Sequence, residues 1–120
     1  MFDHMGFNVA DFARSRAFYL AALAPLGIAV RASGDNWMML AKGGQGFWLG
    51  EGGPVPAPLH IAFAAATRDD VHRFYDAALG AGGVDNGAPG IRDYAPNYYA
   101  AFVRDPDGHN IEAVCHAEEP

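Results

Sequence analysis

Two stretches decide the fold: HMGFNVADFARSRAFYLAALAPLGI (residues 4–28) and HIAFAAATRDDVHRFYDAALGAGGV (residues 60–84). Laid over one another without a gap, they agree at nine of 25 positions, pairing His4 with His60, Phe18-Tyr19 with Phe74-Tyr75 and Gly27 with Gly83. Chance agreement in a chain this rich in alanine and glycine would be roughly two positions, so the chain is read as a duplication of one unit. Each copy opens with a short apolar run, 3–9 or 59–65, bounded by turn-forming residues and read as a strand. A helix follows. In the second copy Thr67 is the expected cap, with Asp70 at the reciprocal box position and Asp69 and Asp70 favourable to the dipole. Val71, Phe74, Tyr75, Ala78 and Leu79 form its apolar stripe. In the first copy Asp11 caps, and Phe18, Tyr19, Ala22 and Leu23 form the stripe. Gly27 and Gly83 are expected to close the helices.

Three strand-like runs follow each helix, at about 27–32, 36–41 and 46–50 in the first half and about 83–88, 97–104 and 110–116 in the second. Asp105-Pro106-Asp107-Gly108 is a strong turn signal between the last two. The unit is β-α-β-β-β, twice, giving an α+β fold. Residues 1–120 are one domain, with module one at 1–52, a Pro/Gly-rich linker EGGPVPAP at 51–58 and module two at 59–117.

Strand alternation then sorts the side chains. Met5, Phe7 and Val9 face the helix, as do Ile61, Phe63 and Ala65, which leaves His4 and His60 on the opposite face beside small neighbours. On the last strand Glu112 shares its face with Asn110, Val114 and His116. Matching the fourth strand, 46–50, to the eighth, 110–114, sets Trp48 at the position of Glu112. Two imidazoles and one carboxylate on one face suit a facial set for Zn, Fe(II), Mn or Ni, with coordination positions left open. The ordinary alternative for each is a hydrogen-bonded structural histidine or a solvated glutamate. Trp37, Met39 and Trp48, with Tyr98 and Phe102, are candidates to wall a ligand site, although such side chains in strands more often pack in a core. His72 is expected on a solvent face without a partner. His109 and His116 are expected at the surface or as supports to the site, and Cys115 as a small buried hydrophobe.

Composition narrows the partners. A net charge of −6 with scattered basic residues disfavours a nucleic-acid partner. No apolar run approaches the roughly 18–20 residues that span a bilayer. No secretion signal opens the chain, so a cytoplasmic location is expected.

The histidine near the start of strand one, His60 within Leu59-His60-Ile61-Ala62-Phe63, and Asp105-Pro106-Asp107-Gly108-His109-Asn110-Ile111-Glu112 together resemble the vicinal-oxygen-chelate superfamily. Its members include glyoxalase I, bleomycin- and fosfomycin-resistance proteins, methylmalonyl-CoA epimerase and extradiol dioxygenases. The resemblance covers essentially the whole chain. It implies paired βαβββ modules curled around a cleft, a homodimer, and a divalent metal held by His4, His60 and Glu112, with Glu112 the catalytic carboxylate. The sequence departs from the glyoxalase I pattern where Trp48 replaces a carboxylate on strand four, which argues against lactoylglutathione lyase chemistry and leaves a His-His-Glu set of the dioxygenase kind. Two functions stay open: a metal-dependent lyase, isomerase or dioxygenase acting on a small molecule with vicinal oxygens, and a non-catalytic protein that sequesters a small molecule.

Overall fold

The computed structural model describes residues 1–119. Strand β1 (His4–Asn8) leads to helix α1 (Phe12–Leu23), whose N-cap Asp11 accepts from the Arg14 amide. The helix tightens into a 3-10 turn, Ala24–Leu26, which Gly27 ends in the left-handed region at φ 79°. Strands β2 (Ala29–Ser33), β3 (Trp37–Lys42) and β4 (Gln45–Gly50) complete module one. Module two repeats the order with β5 (His60–Ala64), α2 (Arg68–Gly80), β6 (Val84–Ile91), β7 (Tyr99–Arg104) and β8 (Asn110–Cys115). Each module folds into its own four-stranded sheet, in the order β1-β4-β3-β2 and β5-β8-β7-β6. In both, the first strand runs parallel to the last and all other pairs are antiparallel.

Local chemistry departs from the sequence expectations at a few points. Thr67 caps α2 by accepting from the Asp70 amide, but the Asp70 carboxylate turns to Arg73 (2.8 Å) rather than closing a reciprocal box. Gly82, at φ 97°, takes the left-handed turn after α2. Gly83 is instead a close approach: a Cβ there would lie 2.5 Å from Val103 and 2.7 Å from Phe18. Met5 and the helix-side residues of β5 are only partly covered, because both strands lie at sheet edges.

One core serves both modules. Phe7 and Phe47 of the first sheet stack 6.3 Å apart, and Phe47 meets Phe63 of the second at 5.4 Å. Phe18, Tyr19, Phe74, Leu40, Leu49 and Ile111 are buried in the same cluster, and α1 packs on α2. The Asp105–Gly108 turn docks on module one. Buried Asp105 accepts the Tyr19 hydroxyl (2.5 Å) on one oxygen and the Asp107 and His109 amides on the other, while Asp107 accepts the Ala10 amide.

Burial, reinforced by the charge and hydrogen bond of Asp105, pushes the Tyr19 hydroxyl well above its usual value of 10.0. A raised folded pKa means that this contribution is complete below pH 10 and is lost as pH rises beyond it. Tyr19→Phe is expected to cost about 1–3 kcal/mol in urea unfolding at pH 7, since it strands one oxygen of a buried carboxylate. It should also flatten the fall of stability in alkali. An unchanged midpoint would show that this bond does not hold the modules together.

Candidate functional site

Parallel pairing sets the two modules in the same register. His4 and Gly6 of β1 lie opposite Gly46 and Trp48 of β4, and His60 and Ala62 of β5 lie opposite Asn110 and Glu112 of β8. Trp48 and Glu112 are therefore equivalent positions, both on the sheet face away from the helices. The tryptophan needs glycine around it: a Cβ on Gly6 would lie 3.2 Å from Trp48 and one on Gly50 only 2.2 Å from its ring. Trp37, at the open end of β3, is partly exposed, and Met39 lies opposite Trp48. The outward face of the first sheet is thus aromatic and apolar, with His4 at its edge.

The outward face of the second sheet is polar at its centre. Glu112 is 1% exposed, whereas the His60 side chain is 56% exposed. His60 Nε2 lies 2.8 Å from Glu112 Oε1, and the Tyr98 hydroxyl donates to Glu112 Oε2. A buried carboxylate is costly unless both oxygens are served, and here an imidazole and a phenol serve them. Phe102 lies directly opposite Glu112 across β7 and β8, buried with Ala100 and Val114 and in contact with Tyr98, and the His60 ring is 6.3 Å from its ring. His116 sets its ring edge against Tyr98 at 5.2 Å. Burial, then the Glu112 hydrogen bond and charge, push Tyr98 up to about 12.

Of the three residues expected to share a metal, the structure brings His60 and Glu112 together. His4 lies on the other sheet and pairs with Asp3 at 2.7 Å. Among the described residues no three His, Cys, Asp or Glu side chains gather as a metal would require. An imidazole and a carboxylate are donor types that hold divalent ions; at 2.8 Å they are hydrogen-bonded to each other, so an ion would have to replace that bond. An open groove of about 680 Å³ runs between the start of β1 and the edge of β5, lined by His4, Met5, Phe47, Ile61, Phe63 and Ala64 among others, and by neither His60 nor Glu112.

Other histidines differ from expectation. His109 is fully buried, accepts the Leu59 amide on Nδ1 (2.9 Å) and sets its ring edge against Phe7 at 5.4 Å, so it braces the start of β5 from within the core. His72 is exposed on α2 but is partnered, 2.5 Å from the Tyr99 hydroxyl. Cys115 is buried, as expected, and donates to the Ala66 carbonyl. Tyr98, a candidate to wall a ligand site, is the second partner of Glu112. It lies just before β7, after a left-handed Asn97 (φ 59°), whereas the sequence places it inside a strand at about 97–104.

Ring-labelled tyrosine NMR is expected to find Tyr98 still protonated at about pH 11, where an ordinary tyrosine is ionised. Glu112→Gln should lower its pKa but not return it fully to 10, because burial persists. Titration of Tyr98 near 10 in the wild-type protein would mean that the bond to Glu112 is absent.

The sequence model of the Glyoxalase/Bleomycin resistance protein/Dioxygenase superfamily matches residues 1–113. No functionally curated protein matches the chain. Among solved structures, a glyoxalase/bleomycin resistance protein from Albidiferax ferrireducens T118 is similar at a TM-score of 0.82 and 29% identity, covering 100% of this chain and 99% of that one. A glyoxalase/bleomycin resistance protein/dioxygenase family enzyme from Burkholderia phytofirmans PsJN gives 0.74 at 16% identity, over 96% and 98% of the two chains. The fosfomycin resistance protein FosX from Mesorhizobium loti gives 0.71 at 18%, over 96% and 91%. The two-module fold and the extent of the match together assign the chain: it belongs to the glyoxalase/bleomycin resistance protein/dioxygenase superfamily.

Proposed function

We propose that the chain is a divalent-metal-dependent enzyme of lyase, isomerase or dioxygenase type acting on a small molecule with vicinal oxygens, and that its site is completed between two copies. The observation that carries this reading is the His60–Glu112 pair. A half-exposed imidazole sits 2.8 Å from a carboxylate that is itself buried and oriented by Tyr98. The pair offers two donor types that hold divalent ions, and its imidazole is open to solvent.

A second copy supplies what one chain lacks. His4 lies on the other sheet from His60 and Glu112, and among the described residues one chain gathers no three metal-binding side chains. Strands β1, HMGFN, and β5, HIAFA, end their sheets with no lysine or proline on either edge. Unprotected edges of this kind invite pairing with another chain, and the groove between them is where a second copy enters. Pairing module one of one copy with module two of the other would set one copy's His4 and Trp48 over its partner's site. His60, Glu112 and His4 would then hold the ion, which when bound would polarise a substrate's neighbouring oxygens. Tyr98 keeps Glu112 oriented, and Trp48 and Phe102 exclude water from the two walls.

A second reading, a binding protein without chemistry, is favoured by one observation: an indole stands where the equivalent module carries a carboxylate.

Zinc or manganese is expected to bind at about one equivalent per chain in tag-free protein. His60→Ala should abolish binding and His72→Ala should not. A mixed dimer of His4→Ala and His60→Ala chains should regain one intact site, because both substitutions fall in the same composite site. Mixed dimers without metal would contradict a shared site. Less than about 0.2 equivalents in the wild type, with aromatic ligands still quenching tryptophan fluorescence, would favour the binding protein.

A further inference from the structure

Arg92 was not among the candidate residues, yet the fold places its guanidinium on the face of Glu112. Gly87 of β6 lies opposite Phe102, and Phe102 opposite Glu112, so the three stand in one row across the second sheet. β6 is irregular on both sides of Gly87, and its glycines clear the space above it. A Cβ on Gly87 would meet Phe102 at 3.0 Å and Arg92 Nη2 at 3.2 Å, and one on Gly90 would meet Arg92 Nη1 at 3.2 Å. The side chain therefore folds back over β6. Its Cζ lies 5.4 Å from the Phe102 ring centroid, and Nη2 donates to the Ala88 carbonyl at 2.8 Å.

His60 and Arg92 thus flank a single aromatic ring, one on each side. No carboxylate among the described residues forms an ion pair with Arg92. A guanidinium has five donors in a planar fork, and a cation–π contact with one carbonyl bond leaves most of them open.

We infer that Arg92 reads an anionic group, a carboxylate or a phosphate-type oxyanion, on the ligand whose vicinal oxygens lie at His60 and Glu112. The inference rests on the function proposed above and narrows its substrate class to acids. A chain of net charge −6 repels small anions on average, so an acidic ligand requires a local cation. Arg92 is that cation, and Phe102 is the floor that holds it at a set distance from the chelating end.

Calorimetry with the zinc-loaded protein separates the two ends. The probes are catechol, 3,4-dihydroxybenzoate, its 2,3-isomer, 3,4-dihydroxyphenylphosphonate, and benzoate, which lacks the vicinal oxygens. At least one dihydroxy acid is expected to bind about 10- to 100-fold more tightly than catechol. Arg92→Gln should erase that preference while leaving catechol affinity unchanged, and Arg92→Lys should retain part of it. The better of carboxylate and phosphonate identifies the anion. Equal affinity of catechol and every acid would overturn the inference, as would an Arg92→Gln variant that loses catechol as well, since Arg92 would then be a strut. No binding of any acid also contradicts it. Benzoate bound as tightly as the dihydroxy acids, and lost in Arg92→Gln, would uphold Arg92 while contradicting the vicinal-oxygen reading.

Discussion

The contact of Phe47 with Phe63 across the module boundary constrains everything else in this chain. Each βαβββ module has one helix-side face to bury, and neither buries it alone. The shared solution packs both faces and both helices into one core, with rings from Phe7 to Phe74 interleaved. The Asp105 turn locks this arrangement by sending a buried carboxylate from module two to the Tyr19 hydroxyl of module one. His109, immediately after the proline–glycine reversal, fills the same junction rather than the surface. With the helix sides committed to each other, the remaining faces point outward, and any site on them must be closed by something else.

That constraint separates two faces that duplication once made alike. The registers still coincide, Gly6 with Trp48 in one sheet and Ala62 with Glu112 in the other. The chemistry has diverged. Module one carries a histidine and, at the position equivalent to Glu112, an indole laid over glycines. Module two carries a histidine and a glutamate, with Tyr98 bonded to the carboxylate and Arg92 over the Phe102 ring. One outward face is aromatic and apolar, and the other is polar at its centre.

Much of this was legible in the sequence, for identifiable reasons. The ungapped repeat required two modules, and period-two alternation put His60 and Glu112 on one face because both strands are regular. The expected equivalence of Trp48 and Glu112 coincides with the observed pairing register. What could not be read lies where alternation breaks. Arg92 follows the irregular β6, and Tyr98, a candidate from the sequence, precedes β7 after a left-handed Asn97, so alternation could not foresee its bond to Glu112. His109 looked like a turn residue because sequence shows the turn but not the module against which it packs. Parity likewise says which face His4 occupies and nothing about whether that face meets its counterpart within one chain.

The most direct measurement is anomalous diffraction at the zinc edge from crystals of the zinc-loaded protein. One peak per chain is expected, about 2.1 Å from His60 Nε2, Glu112 Oε1 and an imidazole nitrogen of His4 from a second copy, with Trp48 of that copy beside it. A well-diffracting crystal with no peak at His60, or a peak whose His4 comes from the same chain, would contradict it.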